Sequence, residues 1–134
     1  MNKLIFPAAL LAAAPAIATS PPANPVLGVW ANPKGTLAVR TAPCGTALCG
    51  AIVRAGPEAL ADAREAGVPR LIGIELLQHY HSTGRGSWAG HVYVPDMHRS
   101  FFSRIRQTAP DRLTISGCVL GGLFCRSQQW HRVP

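Results

Sequence analysis

Acidic residues are scarce in this 134-residue chain, which has six Asp and Glu against thirteen Lys and Arg and a formal net charge of +7. Only Glu75, Asp96 and Asp111 lie outside the one segment with a helical pattern, and they are in separate parts of the chain. Paired carboxylates for acid–base catalysis are therefore not expected. The motif G-x-S-x-G is also absent, and no serine has an evident His/Asp partner. We predict a non-enzymatic protein with no catalytic residues and no cofactor.

Long apolar runs are absent as well, because no stretch approaches the roughly 20 residues that a transmembrane helix needs. The longest apolar run, residues 4–14, follows Lys3 and precedes an A-x-A motif at residues 16–18. This order of basic, apolar and small residues is typical of a secretory signal peptide. We therefore predict a periplasmic or secreted protein, divided into a signal peptide (1–18), a Pro-rich segment (19–25) and one domain (26–134).

The cations are almost all arginine, eleven of the thirteen, and they are scattered rather than clustered. A basic surface favours anionic partners, which outside the cytoplasm are lipid head groups, lipopolysaccharide or acidic small molecules. Export argues against nucleic acid. A solvated basic surface without any specific partner is the alternative interpretation.

Four cysteines, Cys44, Cys49, Cys118 and Cys125, are expected to form disulfides in an exported chain. Cys44 and Cys49 flank a short loop between two strand-like runs. Cys118 and Cys125 come opposite each other if a hairpin turns at Gly121-Gly122. Local geometry thus favours Cys44–Cys49 and Cys118–Cys125. Neither spacing is C-x-x-C, and zinc coordination by the four cysteines is the weaker alternative.

Short strand-like segments separated by Gly, Pro, Asn and Asp clusters dominate the rest of the chain, which predicts an antiparallel barrel or sandwich of about eight strands. One segment, residues 57–67, differs in having Pro57 at its start, good helix formers and a terminal Gly67. It predicts a single short helix. The predicted strands are 26–30, 35–41, 49–55, 71–81, 87–94, 100–107, 112–119 and 123–133.

Alternation of side chains along paired strands predicts which residues face the core. If residues 82–87 form a turn, His79 comes opposite His91 and Tyr80 opposite Gly90. The even-numbered face is then the core: Ile72, Ile74, Leu76, Gln78, Tyr80, Trp88, Val92 and Val94. His79, His81 and His91 fall on the outer face, where a metal site would be open to water, so no metal ligand is assigned.

The last hairpin places two polar side chains on an apolar face. A turn at Gly121-Gly122 pairs Leu113 with Trp130, Ile115 with Gln128 and Gly117 with Arg126. Arg126 and Gln128 therefore point inward, where burial without partners would cost several kcal/mol. They belong either to a polar network in a filled core or to a site for an anionic group.

Two features resemble the lipocalin-like (calycin) barrels. Gly28-Val29-Trp30 forms a G-x-W in the first strand, and Arg132 lies in the last. The resemblance implies that this Trp closes one end of the barrel beneath the Arg in a cation–π contact. Gly28, Trp30 and Arg132 are thus the expected barrel-closing residues.

A more extensive resemblance covers nearly the whole domain and concerns the exported bacterial family called domain of unknown function 2147. It implies a small lipocalin-like barrel outside the cytoplasm, and no activity. The chain departs from the family pattern at His91 and Val94, which puts any family surface site near that turn in doubt. The matching positions are Gly28, Trp30, Cys49, Gly50, Gly73, Trp88, Pro95, Gly117, Trp130 and Arg132.

These observations predict a monomeric, all-β barrel that binds a small, partly apolar ligand. If the ligand is anionic, Arg126 would bind its acidic group. Gln128 would orient that group. A small-molecule or lipid-like ligand is the expected partner. The alternative is an envelope interaction module that uses its basic surface on anionic polymers or a protein partner. The expected cavity walls are Trp88, Tyr80 and Trp130, which give the apolar lining typical of ligand pockets.

Overall fold

The computed structural model describes residues 25–134, so the predicted signal peptide (1–18) and most of the Pro-rich segment (19–25) lie outside the described residues. The helix and strands follow one another with short connections, two of which are 3-10 turns, at Pro95–Met97 and Leu120–Gly122. In chain order the elements are β1 (Gly28–Ala31), β2 (Leu37–Cys44), β3 (Ala47–Ala55), α1 (Pro57–Glu65), β4 (Glu75–Gly84), β5 (Ser87–Val94), β6 (Arg99–Ala109), β7 (Arg112–Val119) and β8 (Phe124–Val133).

The eight strands form a closed antiparallel barrel in which each strand pairs with its neighbours in sequence. Strand β1 closes the barrel on β8, and Trp30 lies opposite Arg132. Closure leaves no free sheet edge, which small β proteins otherwise have to protect. The predicted all-β barrel of eight strands with one short helix is confirmed.

The up-and-down order gives the barrel two different ends. At the closed end the strands are joined by tight turns after β2, β4 and β6, and residues 25–27 lie across them. At the open end the connections are longer and include helix α1 and the two 3-10 turns. The two disulfides are divided between these ends, with Cys44–Cys49 at the closed end and Cys118–Cys125 at the open end. Both predicted pairings are present.

Helix α1 ends at Glu65, two residues before the predicted end. Pro57 occupies its first turn, as expected for a residue without an N–H to satisfy. Gly67 follows with φ +78°, and its N–H donates to the Arg64 carbonyl at 3.0 Å. A glycine in this left-handed conformation ends helices at low steric cost. Ala63 is the buried residue of the helix and joins the core.

The core is contributed mainly by inward-facing strand residues, as side-chain alternation requires. Trp30 and Leu113 are completely buried within it. Its largest fully buried side chains are Trp30, Tyr80, Ile52, Leu77, Ile105, Leu113, Val26 and Val39.

The last hairpin has the predicted register, with Leu113 opposite Trp130 and Gly117 opposite Arg126. The β4–β5 hairpin does not. Gln78, not His79, lies opposite His91, because the ladder is interrupted between Gln78 and His81. His79 has φ +49° there, and such a bulge inserts an extra residue into one strand.

The bulge changes which residues of β4 face inward. Leu77 and Tyr80 are both fully buried, so strict alternation of even positions is wrong for this strand. Ile72 is 53% exposed and lies before β4, in the connection from α1, rather than in the core.

Candidate functional site

Arg126 lies on the inner side of β8 near the open end, opposite Gly117 of β7. The side chains of Arg126 and Gln128 are both exposed, contrary to the expectation that they are buried. Within residues 25–134 the Arg126 guanidinium forms no hydrogen bond and no ion pair. Since Gly117 has no side chain and the open end has no strand above it, nothing in this part of the barrel covers the guanidinium. A cation is thus presented to a concave surface without a counter-charge.

Arg126 contributes to a cavity that opens at this end of the barrel. Its outer part has a volume of about 470 Å³ and its inner part about 220 Å³, and the two share Val92, Val94, Gly117 and Arg126. Pockets of several hundred Å³ with mostly apolar walls and few polar groups are typical of small-molecule sites. We call it the open-end cavity, lined by Leu76, Leu77, Val92, Val94, Met97, Phe101, Ile115, Gly117, Val119, Phe124, Cys125, Arg126, Gln128 and Trp130.

Gln128 and Trp130 lie on the wall of the inner part of the cavity. They are two residues apart on β8, so their side chains point to the same face of the sheet. The Trp130 indole Nε1 donates a hydrogen bond to the Gln128 side-chain oxygen at 3.1 Å. An indole N–H can only donate, so the amide oxygen of Gln128 must be the acceptor. The amide NH₂ group of Gln128 is then left to donate elsewhere. Gln128 and Arg126 together therefore offer donors, which suits a carboxylate or another anionic group.

A second cleft of about 330 Å³ adjoins the open-end cavity on the side of helix α1 and shares Gln128 and Trp130 with it. Its charged residues are Lys34 and three carboxylates. The charge therefore differs across the mouth of the barrel: Arg126 is on the β8 side, and an excess of acidic residues is on the helix side. The carboxylates are Glu58, Asp62 and Asp96.

Tyr80 and Trp88, two of the predicted cavity walls, are not brought together with Arg126. They line a separate pocket of about 270 Å³ near the tight turn between Cys44 and Cys49. The predicted set therefore divides in two: Arg126, Gln128 and Trp130 share the open-end cavity, and the other two aromatic residues face the closed end.

A row of paired inner-face residues crosses β5 to β8, from Gly90 and Ser103 to Gly117 and Arg126 in the wall of the open-end cavity. Gly90 has no room for a side chain, because a Cβ atom there would lie 2.7 Å from Cγ of Tyr80. Tyr80 thus packs directly on the backbone of β5 and blocks the barrel at this level. We call Tyr80 and Ser103 the floor of the barrel.

The floor contains two buried hydroxyls without partners. Tyr80 Oη and Ser103 Oγ are both inaccessible, and neither makes a hydrogen bond with the described residues. Burial raises the pKa of the Tyr80 phenol well above its ordinary value. The raised pKa means that the phenol is neutral wherever the barrel is folded at ordinary pH.

Arg132, by contrast, donates a hydrogen bond from each of its three guanidinium nitrogens at the closed end. Its Nε donates to the Pro110 carbonyl at 3.1 Å, and its two terminal nitrogens donate to the carbonyls of Leu27 and Pro25. Its Cζ lies 4.3 Å from the centre of the Trp30 ring, which is a cation–π distance. Gly28 makes room for this group, because a Cβ atom at Gly28 would clash with a terminal nitrogen of Arg132.

The three histidines considered for metal binding do not form a cluster. In the described part of the chain, the one group of potential ligands within 4.8 Å of one another is Cys44, Cys49 and His79. Both cysteines are already joined in a disulfide, which leaves the imidazole as a single ligand.

Val92, Phe101 and Phe124 line the cavity but were not among the predicted ligand-binding residues, although Val92 was predicted to face the core. Phe101 lies opposite Val92, which fixes its inward direction. The signal was present in β6, where Phe101, Ser103 and Ile105 alternate with Phe102 and Arg104. No turn of known geometry anchored the facing of that strand, however, so the alternation could not be assigned to a side.

Comparisons with known proteins agree with the architecture. A family model described as "Uncharacterized protein conserved in bacteria (DUF2147)" matches residues 28–132. No curated protein sequence is significantly similar to the chain. Among solved structures, protein HP1028 from Helicobacter pylori, described as belonging to the lipocalin family, is similar with a TM-score of 0.61 and 13% identity, over 81% of this chain and 82% of that one. At this identity the likeness concerns the fold.

Proposed function

The chain belongs to the bacterial family DUF2147, and we propose that it is a non-catalytic binding protein for a small, partly apolar ligand with an acidic group. The ligand would occupy the open-end cavity. One observation carries the proposal: Arg126 faces a largely apolar cavity with no hydrogen-bond or ion-pair partner among the described residues. A cation in such surroundings gains most from an anion that also brings apolar surface.

In the expected binding mode, the polar and the apolar residues of the cavity contact different parts of the ligand. The guanidinium of Arg126 would hold the acidic group, and the free NH₂ group of Gln128 would donate a second hydrogen bond to it. The apolar part of the ligand would lie against Val92, Phe101 and Phe124. Trp130 would act indirectly, because its indole holds the Gln128 amide in the donating orientation.

We further propose that the protein acts outside the cytoplasm. Two disulfides support this location, since such bonds persist in oxidising compartments. The A-x-A motif before residue 19 supports export in the same sense. No helix in residues 25–134 is long and apolar enough to cross a bilayer.

The proposal can be tested with two related fluorescent probes. Anilinonaphthalene sulfonate is apolar and anionic, and N-phenylnaphthylamine has nearly the same apolar part without the charge. Arg126→Gln should weaken binding of the anionic probe about tenfold, as expected when a charge-assisted hydrogen bond is lost. Binding of the neutral probe should change less than about twofold, because its contacts are apolar.

Two control variants locate the effect. Arg112→Gln removes another exposed charge, at the closed end, and should leave both probes unaffected. Gly117→Leu places a side chain inside the open-end cavity and should weaken both probes. Equal loss of both probes in Arg126→Gln, or no loss in Gly117→Leu, would contradict the proposed site.

A further inference from the structure

Exposed apolar side chains are concentrated around the mouth of the open-end cavity. Ordinary exposed apolar residues occur singly, whereas a contiguous apolar patch marks an interaction surface. Of the six large apolar residues that are strongly exposed in the described structure, five lie at this mouth and the sixth is Ile72. We call these five the apolar rim: Met97 (54% exposed), Val119 (44%), Leu120 (73%), Leu123 (74%) and Phe124 (62%).

The rim is held in place rather than being a loose loop. The Cys118–Cys125 disulfide joins the two strands directly behind the tip of the hairpin. Met97, from the other 3-10 turn, shares the cavity wall with Val119 and Phe124, so the two turns form one continuous surface.

Leu120 is the clearest sign that this surface is functional. It has φ +52°, a left-handed conformation that is costly for a residue with a branched side chain. Solvent exposure of its side chain adds to that cost. Strained residues of this kind are concentrated at functional sites. Two glycines follow at φ +67° and +91°, so the hairpin projects a leucine at a position where glycine would be easier to accommodate.

Cations accompany the apolar rim. Arg99 begins β6 beside the Pro95–Met97 turn, and its Cζ lies 5.4 Å from the centre of the Phe101 ring. Arg126 lines the same cavity wall. Asp96, next to Met97, belongs with Glu58 and Asp62 to the helix side of the mouth, whereas Arg99 and Arg126 lie on the side of β6 and β8. Apolar side chains bordered by arginine fit the interface of an anionic bilayer, where apolar groups enter the acyl region and cations meet phosphates.

We propose that the apolar rim docks the open end of the barrel on the surface of an anionic phospholipid bilayer. A second copy of the chain is the competing occupant, and it differs from the bilayer in that it would make the protein dimerise without vesicles. Docking in this orientation places the cavity mouth against the membrane. Leu120 and Leu123 do not line the cavity, so their contribution to docking does not depend on what occupies it.

The test is sedimentation of the folded protein with vesicles of phosphatidylglycerol mixed with phosphatidylcholine, and with vesicles of phosphatidylcholine alone. We expect binding to the anionic vesicles and much weaker binding to the neutral ones. The double variant Leu120→Ser/Leu123→Ser should lower vesicle partitioning at least about tenfold, since each leucine loses its transfer into the apolar phase. Ile72→Ser, a matched exposed apolar residue outside the rim, should have no effect.

The charge component is tested in the same assay. Arg99→Gln should weaken partitioning into anionic vesicles about fivefold, the effect of one cation near such a surface. Arg112→Gln, at the closed end, should not. Unfolding transitions of all variants should match the wild type because every altered side chain is exposed.

Three results would overturn the proposal. The first is that the wild type does not sediment with anionic vesicles. The second is that the rim variant and Ile72→Ser lose partitioning equally. The third is dimerisation of the wild type, abolished by the rim variant and unaffected by vesicles, which would assign the rim to a second copy of the chain.

Discussion

Two arginines on one strand, six positions apart, are used in opposite ways. Arg132 at the closed end donates to three backbone carbonyls and covers the Trp30 ring. Arg126 at the open end has no partner among the described residues and faces a largely apolar cavity. The same side chain is therefore part of the scaffold at one end and available for binding at the other. Residue type alone does not distinguish these roles; the surroundings do.

The closed and open ends of the barrel differ in the same way in their other residues. The closed end brings buried aromatic rings, tight turns and residues 25–27 together, as a barrel must if its interior is to exclude water. The open end keeps apolar side chains in solvent and leaves a cavity above the floor formed by Tyr80 and Ser103. Stability is expected to depend on the closed half, and binding on the open half.

The largest expected effect is that of removing the closed-end arginine. Arg132→Leu leaves three backbone carbonyls without donors and removes the cation–π contact, which should destabilise the fold by roughly 3 kcal/mol. The corresponding fall in Tm is roughly 10–15 °C for a domain of this size. Thermal unfolding followed by circular dichroism measures it. Arg126→Leu is the control and should change Tm by no more than about 2 °C. Similar losses in the two variants would abolish the distinction between the ends.

The next effect concerns two glycines in the same inner-face row. Gly90→Ala forces a Cβ atom to 2.8 Å from backbone atoms of β4, so we expect a loss of about 2–3 kcal/mol in the free energy of unfolding. Gly117→Ala meets only Val92 at 3.5 Å, an ordinary contact, and should be nearly neutral. Urea unfolding of the two variants compares floor and cavity directly. A costly Gly117→Ala would mean that the cavity above the floor is already filled.

The two disulfides provide a third comparison. Replacing either pair by serine should cost about 2 kcal/mol, because both close short loops. Only the Cys118→Ser/Cys125→Ser variant should also weaken vesicle binding, since that bond holds the apolar rim. Chemical unfolding and vesicle sedimentation of both double variants test this. If the closed-end pair reduced vesicle binding equally, the rim would not be the feature that the open-end disulfide supports.

A smaller effect, of opposite sign, is expected in the floor. Tyr80→Phe removes a buried hydroxyl without a partner and should stabilise the barrel by about 1 kcal/mol. Burial raises the pKa of this phenol in the folded state, so the unfolded chain loses its proton first. Ionisation of this group therefore leaves the stability of the barrel unchanged below about pH 10, the pKa of an unfolded tyrosine, and lowers it as pH rises towards the higher pKa of the folded state.

Measuring the free energy of unfolding against pH therefore separates the effect of the buried hydroxyl itself from the effect of its ionisation. The wild type should lose stability above about pH 10 more steeply than Tyr80→Phe. Tyr93→Phe, at a half-buried tyrosine of β5, is the control and should retain the steep loss. Identical alkaline profiles for wild type and Tyr80→Phe would show that the floor is open to solvent.

The barrel and the last hairpin could be predicted from sequence because strong local signals agree there. Gly121-Gly122 fixes the turn, and Cys118 with Cys125 requires one register, which the structure has. The β4–β5 hairpin could not be predicted correctly, because the left-handed residue of its bulge is His79 and not a glycine, so the sequence does not indicate a bulge there. Alternation assumed without this bulge places Leu77 on the outside.

The composition of the cavity was harder to predict than its most important residue. Arg126 was assigned to the inner face from one hairpin alone. The structure does not group Arg126 with Tyr80 and Trp88. Side-chain alternation predicts which side of the sheet a residue faces, but not its height along the barrel axis. That height depends on how all eight strands are staggered, which only the complete set of pairings fixes.

The most direct test of the account is native mass spectrometry of the chain expressed with its own N-terminal segment and isolated from the periplasm. We predict a protein cleaved before Thr19, lacking four hydrogens because of its two disulfides, and carrying a small amphipathic acid that is absent from Arg126→Gln prepared in parallel. A wild-type protein without bound mass, or a variant that retains the same bound molecule at the same occupancy, would contradict the claim that the open-end arginine is a binding residue.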